Sequence, residues 1–340
     1  MNCFFQRWLP ASGISRLVPR ITLAATVILT LLICNVAAFA ESTEQPPLPE
    51  LPIYLTEPFS NITDRQTYSD ATQLQKLLAK YDYKLTSVQQ TGKVPPVFSI
   101  DVPLNLESLP TQQKTNTFIR LLLPNVLKVN DAIENTRAEI LRMQTKSANN
   151  EPLSAEESDW LAAQYKIGGI ADGNFTELLA QVDSIPVAMV LAQGIEESGW
   201  GTSYFAIQGN AFFGQHRSGE EGKYLTSKSG VKVAAFRSIY HSVASYVHNL
   251  NTNAAYAGLR EMRAELRQDE KPVTGSKMLE GLIDYSSSGE SYVKNLQSII
   301  NYHKLDAYDA ARLSSSQQQV LLSSSRSATK GPNEQMPTRR

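Results

Sequence analysis

The chain has 340 residues, 42% apolar and 19% charged, which is enough apolar mass for one or two domains with a real core. Its 32 basic and 33 acidic residues give a net charge of -1; without the three arginines of the first 40 residues the balance is 29 against 33, a net of -4. That mild acidity excludes the electrostatic footprint of a polyanion binder, so nucleic acid is not an expected partner. Both cysteines, Cys3 and Cys34, lie in those 40 residues, so the remainder can hold no disulfide, thiol nucleophile or thiolate metal site.

The N-terminus carries Arg7, Arg16 and Arg20, then an apolar run from Ile21 that ends in Ala38-Phe39-Ala40. This is the arrangement of a secretory signal cut before Glu41, and it places the protein in the periplasm or cell envelope. Left uncut, the same run is long enough to span a bilayer and would serve as an N-terminal membrane tether. Residues 41–110 form a proline-rich arm, with a short amphipathic helix within 68–83 and an extended, four-proline stretch over 94–110 that is expected to lie across a surface.

From Thr111 to about Ser147, Phe118, Leu121, Leu122, Val126, Val129, Ile133, Ile140 and Met143 recur at helical spacing, with Pro124 as a point of kinking or division. This makes 111–150 a helical region. Ser154 and Glu157 have the spacing of a capping box, and helical patterns follow at 174–182, 186–198, 238–252, 256–269, 275–284 and 291–303. Alternation around a Ser-Gly turn over 221–238 predicts a β-hairpin. The expectation is a compact, mainly α domain over 151–310 with a small β-hairpin lobe, followed by a polar, Ser/Gln-rich tail, 311–340, that is disordered.

The chemistry concentrates in "GIEESGWGTS", 194–203. On a helix that opens after Pro186, Val187, Val190, Leu191, Gly194 and Ile195 form one apolar stripe. At about 100° per residue, Glu196 points away from that stripe, whereas Glu197 falls about 90° from its centre, at the edge of the buried face. A partly desolvated carboxyl has a raised pKa, as a general acid working near neutrality requires, and Trp200 is the candidate apolar wall beside it. From the wheel alone, a solvated helix-end charge remains the ordinary alternative.

The stretch "LAQGIEESGWGTSYFAIQGNAFFGQ", 191–215, resembles the signature of the bacterial glucosaminidase domains, the family 73 glycoside hydrolases, and in particular their Bax-like branch. The family pattern is an alanine-glutamine helix, a glutamate before Ser-Gly-Trp-Gly, and an asparagine shortly before Phe-Gly; here these are Ala192 and Gln193, Glu197, and Asn210 with Phe213-Gly214. The likeness runs over roughly 95–305. It implies a lysozyme-like α+β fold, hydrolysis of the β-1,4 bond after N-acetylglucosamine in peptidoglycan glycan strands, and Glu197 as general acid. A lytic transglycosylase and a non-catalytic wall-binding protein are the alternatives.

A glycosidase needs a second carboxylate or help from the substrate's acetamido group. Glu220 and Glu221, in the hairpin lobe where the family draws its second acid, are loose matches, and Glu221 at the hairpin base is the candidate. Tyr285 and Tyr292 match the family's paired tyrosines; Tyr285 is the groove candidate, while for Tyr292 a core role is favoured over a substrate-binding one. Trp200, Asn210 and Phe213 complete the expected substrate-binding set, with Phe212 and Phe213 packed beneath the groove. His241 and His248 are seven positions apart, too far for the chelation of an H-E-x-x-H site, so neither a metal nor another cofactor is expected. His216, beside Phe-Gly, is a minor groove candidate. Ser198 lacks the G-x-S-x-G elbow of a serine hydrolase.

Overall fold

The computed structural model describes residues 47–50, 52, 56–216 and 223–328; the leader and the proposed cleavage site lie outside them. In chain order the elements are β1 (Asp64–Tyr68), α1 (Ala71–Lys80), α2 (Leu85–Thr91), β2 (Lys93–Val94), β3 (Val97–Ser99), α3 (Thr111–Ala148), α4 (Ala155–Gly168), α5 (Phe175–Gln181) and α6 (Val187–Ser198). They continue with α7 (Tyr204–Gly209), β4 (Tyr224–Thr226), β5 (Lys232–Ala234), α8 (Ile239–Thr252), α9 (Ala257–Gln268), α10 (Gly275–Met278), α11 (Glu290–His303), β6 (Arg312–Leu313), β7 (Val320–Ser324) and α12 (Ser325–Ala328). The protein is mainly α-helical with small β-sheets.

α3 is one continuous helix of 38 residues, about 57 Å long at 1.5 Å per residue. Pro124 does not divide it: the helix continues through that position, and Leu121 through Leu127 are all buried in the core. α6 lies against α3 at Gly194, where an added Cβ would stand 2.7 Å from Leu122 Cδ2, so any larger residue there would displace that side chain. The far half of α3 packs with α4 and α5 in a satellite cluster of Ile140, Met143, Leu161, Tyr165, Ile170 and Leu178. The capping box that opens α4 is present: Ser154 Oγ accepts from Glu157 N, and Glu157 Oε2 accepts from Ser154 N. β4 and β5 pair antiparallel as the expected hairpin.

Two expectations fail at the chain ends. The segment from 311 is not disordered over its described part: β6 pairs in parallel with β2, and β7 is the central strand of a sheet, parallel to both β1 and β3. Val320, Leu321 and Leu322, a short apolar triplet in a polar tail, are all buried. Nor does the proline-rich arm lie across a surface. Phe59, Ile62, Tyr68, Leu74, Leu78, Val97, Phe98 and Val102 share one core with α3, α6 and α8. Asp101 fastens the two ends together: it is 1% exposed and accepts from Tyr68 Oη, Ser324 N and Ser324 Oγ, with Arg326 at 3.6 Å supplying the opposite charge. A buried carboxylate is tolerable only when so paired. Arg326 also donates to the carbonyl of Ile207, so the tail reaches α7.

Candidate active site

α6 is buried from Val187 through Ile195, and its last turn separates the two glutamates as helical phase requires: Glu196 is exposed and Glu197 half-buried. The helix stops in a left-handed turn in which Gly199, Trp200 and Gly201 have φ of 56°, 61° and 73°. Glycine enters this region freely, whereas for tryptophan it is strained by about 1 kcal/mol or more. Local bonds hold the turn: Ser198 Oγ accepts from Gly201 N at 2.8 Å while its own hydroxyl donates to the Gly194 carbonyl, and Trp200 N donates to Ile195 O at 3.2 Å. Position 201 has a second reason to be glycine, since a Cβ there would meet the Phe118 ring at 2.7 Å. Ser198 is thus a capping hydroxyl.

The Glu197 carboxyl has two distinct sides. Oε1 accepts a 2.7 Å hydrogen bond from the Tyr292 hydroxyl of α11, and Oε2 faces Gly214, where an added methyl would stand 3.3 Å away. Burial pushes the carboxyl above its ordinary range; the Tyr292 hydrogen bond pulls it down and the Glu196 charge pushes it up again. Behind Tyr292 lies a set of rings. Tyr285 stacks parallel to it at 5.8 Å, and Tyr246 stacks on Phe213 at 4.1 Å and meets Tyr285 edge-on at 6.3 Å. Tyr285 donates to the Phe213 carbonyl at 2.7 Å, which ties the turn before α11 to the Phe-Gly loop.

Tyr292, favoured for the core, is 7% exposed yet bonds Glu197, whereas Tyr285, the groove candidate, spends its hydroxyl on backbone. The Trp200 ring, the expected wall, is half-buried and packs against Phe118 at 6.2 Å and His303 at 4.8 Å. Asn210 ends α7 in a left-handed conformation and donates to the Phe236 carbonyl at 3.3 Å, so it anchors the segment after β5 to α7. Phe213 is 2% exposed and lies in the core beneath the site. Glu220 and Glu221 lie outside the described residues. His216 forms a backbone bridge with Val233.

Two buried residues at the site escape the sequence reading of individual roles: Gln193 and Tyr246. Gln193 carries a signal, being the one polar side chain in the run from Val187 to Ile195. Tyr246 carries none beyond its place on the buried face of α8.

A half-buried glutamate at the end of a core helix, with one carboxyl oxygen held by a phenol and the other beside a glycine, defines a candidate general-acid glycosidase site. Comparison with known proteins gives the class its family. Residues 173–305 match the family model Glucosaminidase, described as mannosyl-glycoprotein endo-beta-N-acetylglucosaminidase. The chain is 34% identical over 183 residues to Protein bax of Escherichia coli (strain K12), a match covering 53% of this chain and 66% of that relative, just under two thirds of its length. Two solved structures overlap it in part: a C-terminally truncated glycoside hydrolase domain of FlgJ from Salmonella typhimurium (21% identity, 35% of this chain and 84% of that one, TM-score 0.28). The other is the catalytic domain of the autolysin Auto from Listeria monocytogenes (16% identity, 50% and 97%, TM-score 0.29). Over residues 173–305 the chain thus resembles a glucosaminidase-type glycoside hydrolase domain, and over 183 residues it is similar to Protein bax.

Proposed function

We propose that the protein is a lysozyme-like peptidoglycan hydrolase that cleaves the β-1,4 bond after N-acetylglucosamine, with Glu197 as general acid. The observation that carries this reading is the Glu197 carboxyl itself, half-buried and raised in proton affinity within the segment that matches the glucosaminidase family. In the reaction Glu197 gives its proton to the glycosidic oxygen as the C–O bond breaks, and the oxocarbenium-like carbon is captured by water, by a carboxylate or by the substrate's own acetamido oxygen. Oε1 is occupied by the Tyr292 donor, so the proton leaves from Oε2, on the Gly214 side.

Glu221 is the candidate second carboxylate. The leader over residues 1–40 exports the protein to the periplasm or envelope, where its substrate lies; among the described residues no helix is long and apolar enough to cross a membrane. Mass spectrometry of digested peptidoglycan tests the reaction: reducing N-acetylglucosamine ends support it, and 1,6-anhydromuramic ends would assign a lytic transglycosylase instead. N-terminal sequencing of the exported protein is expected to begin at Glu41.

A further inference from the structure

The hydrogen bond to Glu197 is the last of a directed series. Tyr246 on α8 donates its hydroxyl to Gln193 Oε1, Gln193 Nε2 donates to the Tyr292 hydroxyl oxygen at 3.0 Å, and Tyr292 donates to Glu197 Oε1 at 2.7 Å. Gln193 and Tyr246 are both fully buried, on different helices from Tyr292.

The two ends of the Gln193 amide are not interchangeable here. A phenol has one proton to give. With Nε2 toward Tyr292, that oxygen accepts, and its own proton is free for Glu197. With the amide reversed, Gln193 Oε1 and Glu197 Oε1 would compete for that single proton. Because the Tyr292 proton goes to Glu197, the first arrangement is favoured, and the Tyr246 hydroxyl, donating to Oε1, satisfies the other end of the amide. Hydrogen bonds in series in a low-dielectric interior also strengthen one another, so the Gln193 N–H makes Tyr292 a better donor.

We propose that Gln193 and Tyr246 are positioning residues which commit the hydroxyl proton of Tyr292 to Oε1 of Glu197, leaving Oε2 to carry the proton delivered to the glycosidic oxygen. This rests on Glu197 being the general acid. The ionisable groups that act on the Glu197 carboxyl, or are acted on by it, are Glu196 on its own helix, Tyr292 on α11, Tyr285 in the turn before α11 and Tyr246 on α8. The Tyr292 hydrogen bond offsets part of the rise that burial gives Glu197, and loosening the series moves the titration further upward.

The test uses Tyr246→Phe, which removes one hydroxyl and keeps the ring on Phe213, and Gln193→Met, which removes both bonding ends at similar volume. The readouts are the carbon-13 carboxyl titration of Glu197 in the full chain, assigned by its loss in Glu197→Gln, and the alkaline limb of glycan cleavage. Tyr292→Phe is expected to raise both by about one pH unit, the size of a lost hydrogen bond to a carboxylate, and Gln193→Met, which keeps that bond but removes the N–H that strengthens it, by a resolvable fraction of that. Tyr246→Phe moves them less in the same direction, and the Gln193→Met, Tyr292→Phe double variant moves no further than Tyr292→Phe alone. kcat falls while KM holds.

An unmoved titration in folded Tyr246→Phe and Gln193→Met, or additive shifts in the double variant, overturns the proposal. If Gln193→Met does not fold, Tyr246→Phe alone decides. A wild-type protein that cleaves no glycan while its Glu197 titration still moves as expected overturns the hydrolase reading and supports the positioning series.

Discussion

Gly214 stands against Glu197 so closely that a methyl added at its Cα would lie 3.3 Å from Oε2, and its φ of 60° is one that a side chain resists. Gly214→Ala therefore strains the backbone and crowds the oxygen assigned to proton delivery. The expected result is a loss of about 1 kcal/mol in stability, read by urea melts, with a fall of about tenfold or more in glycan cleavage. Unchanged cleavage would place proton delivery away from Oε2.

Glu197→Gln is expected to lower glycan cleavage by about 10²-fold or more while the fold persists. Burial holds the folded carboxyl above its unfolded value, so its stabilising contribution is complete below about pH 4.5 and is lost as pH rises through the raised value. The variant is thus more stable relative to wild type at pH 8 than at pH 4, in paired thermal melts. The rate limb on the alkaline side falls over the same window, because a general acid must be protonated to act.

Leu322 is completely buried on the central strand β7. Leu322→Ala is expected to cost about 2–5 kcal/mol, the range for a leucine truncated in a packed core, in urea denaturation. A disordered tail would show no effect.

Glu157 is held at about 2 by Lys146, the Ser154 backbone N–H and Arg142. A depressed carboxyl stabilises above its unfolded value and loses that contribution as pH falls from about 4.5 toward 2. Glu157→Gln should cost stability at pH 7 and little at pH 2; equal costs at both would show that the capping hydrogen bonds matter and the charge does not.

Much of the helical order was legible, because a buried stripe repeats with the helix and the caps announce themselves locally: Ser154 with Glu157, and Gly199 after Ser198. The same phase separated Glu197 from Glu196. The tail was misread because composition averages over it, and three apolar residues among serines and glutamines do not look like a strand. Their partners, Asp64–Tyr68 and Val97–Ser99, lie near the other end of the described chain, and Ser324 meets Asp101 across 223 positions.

By itself the sequence determined the apolar stripes of the longer helices, several of their caps, and which glutamate sits at the edge of the core, since these follow from local periodicity and backbone chemistry. Only the tertiary structure decided that Tyr292 rather than Tyr285 reaches Glu197, that Gln193 and Tyr246 stand behind it, and that the tail completes a sheet with the arm. Periodicity says that a side chain is buried, not what it is buried against; Tyr292 and Glu197 are 95 residues apart, and their contact exists only once α6 and α11 have packed.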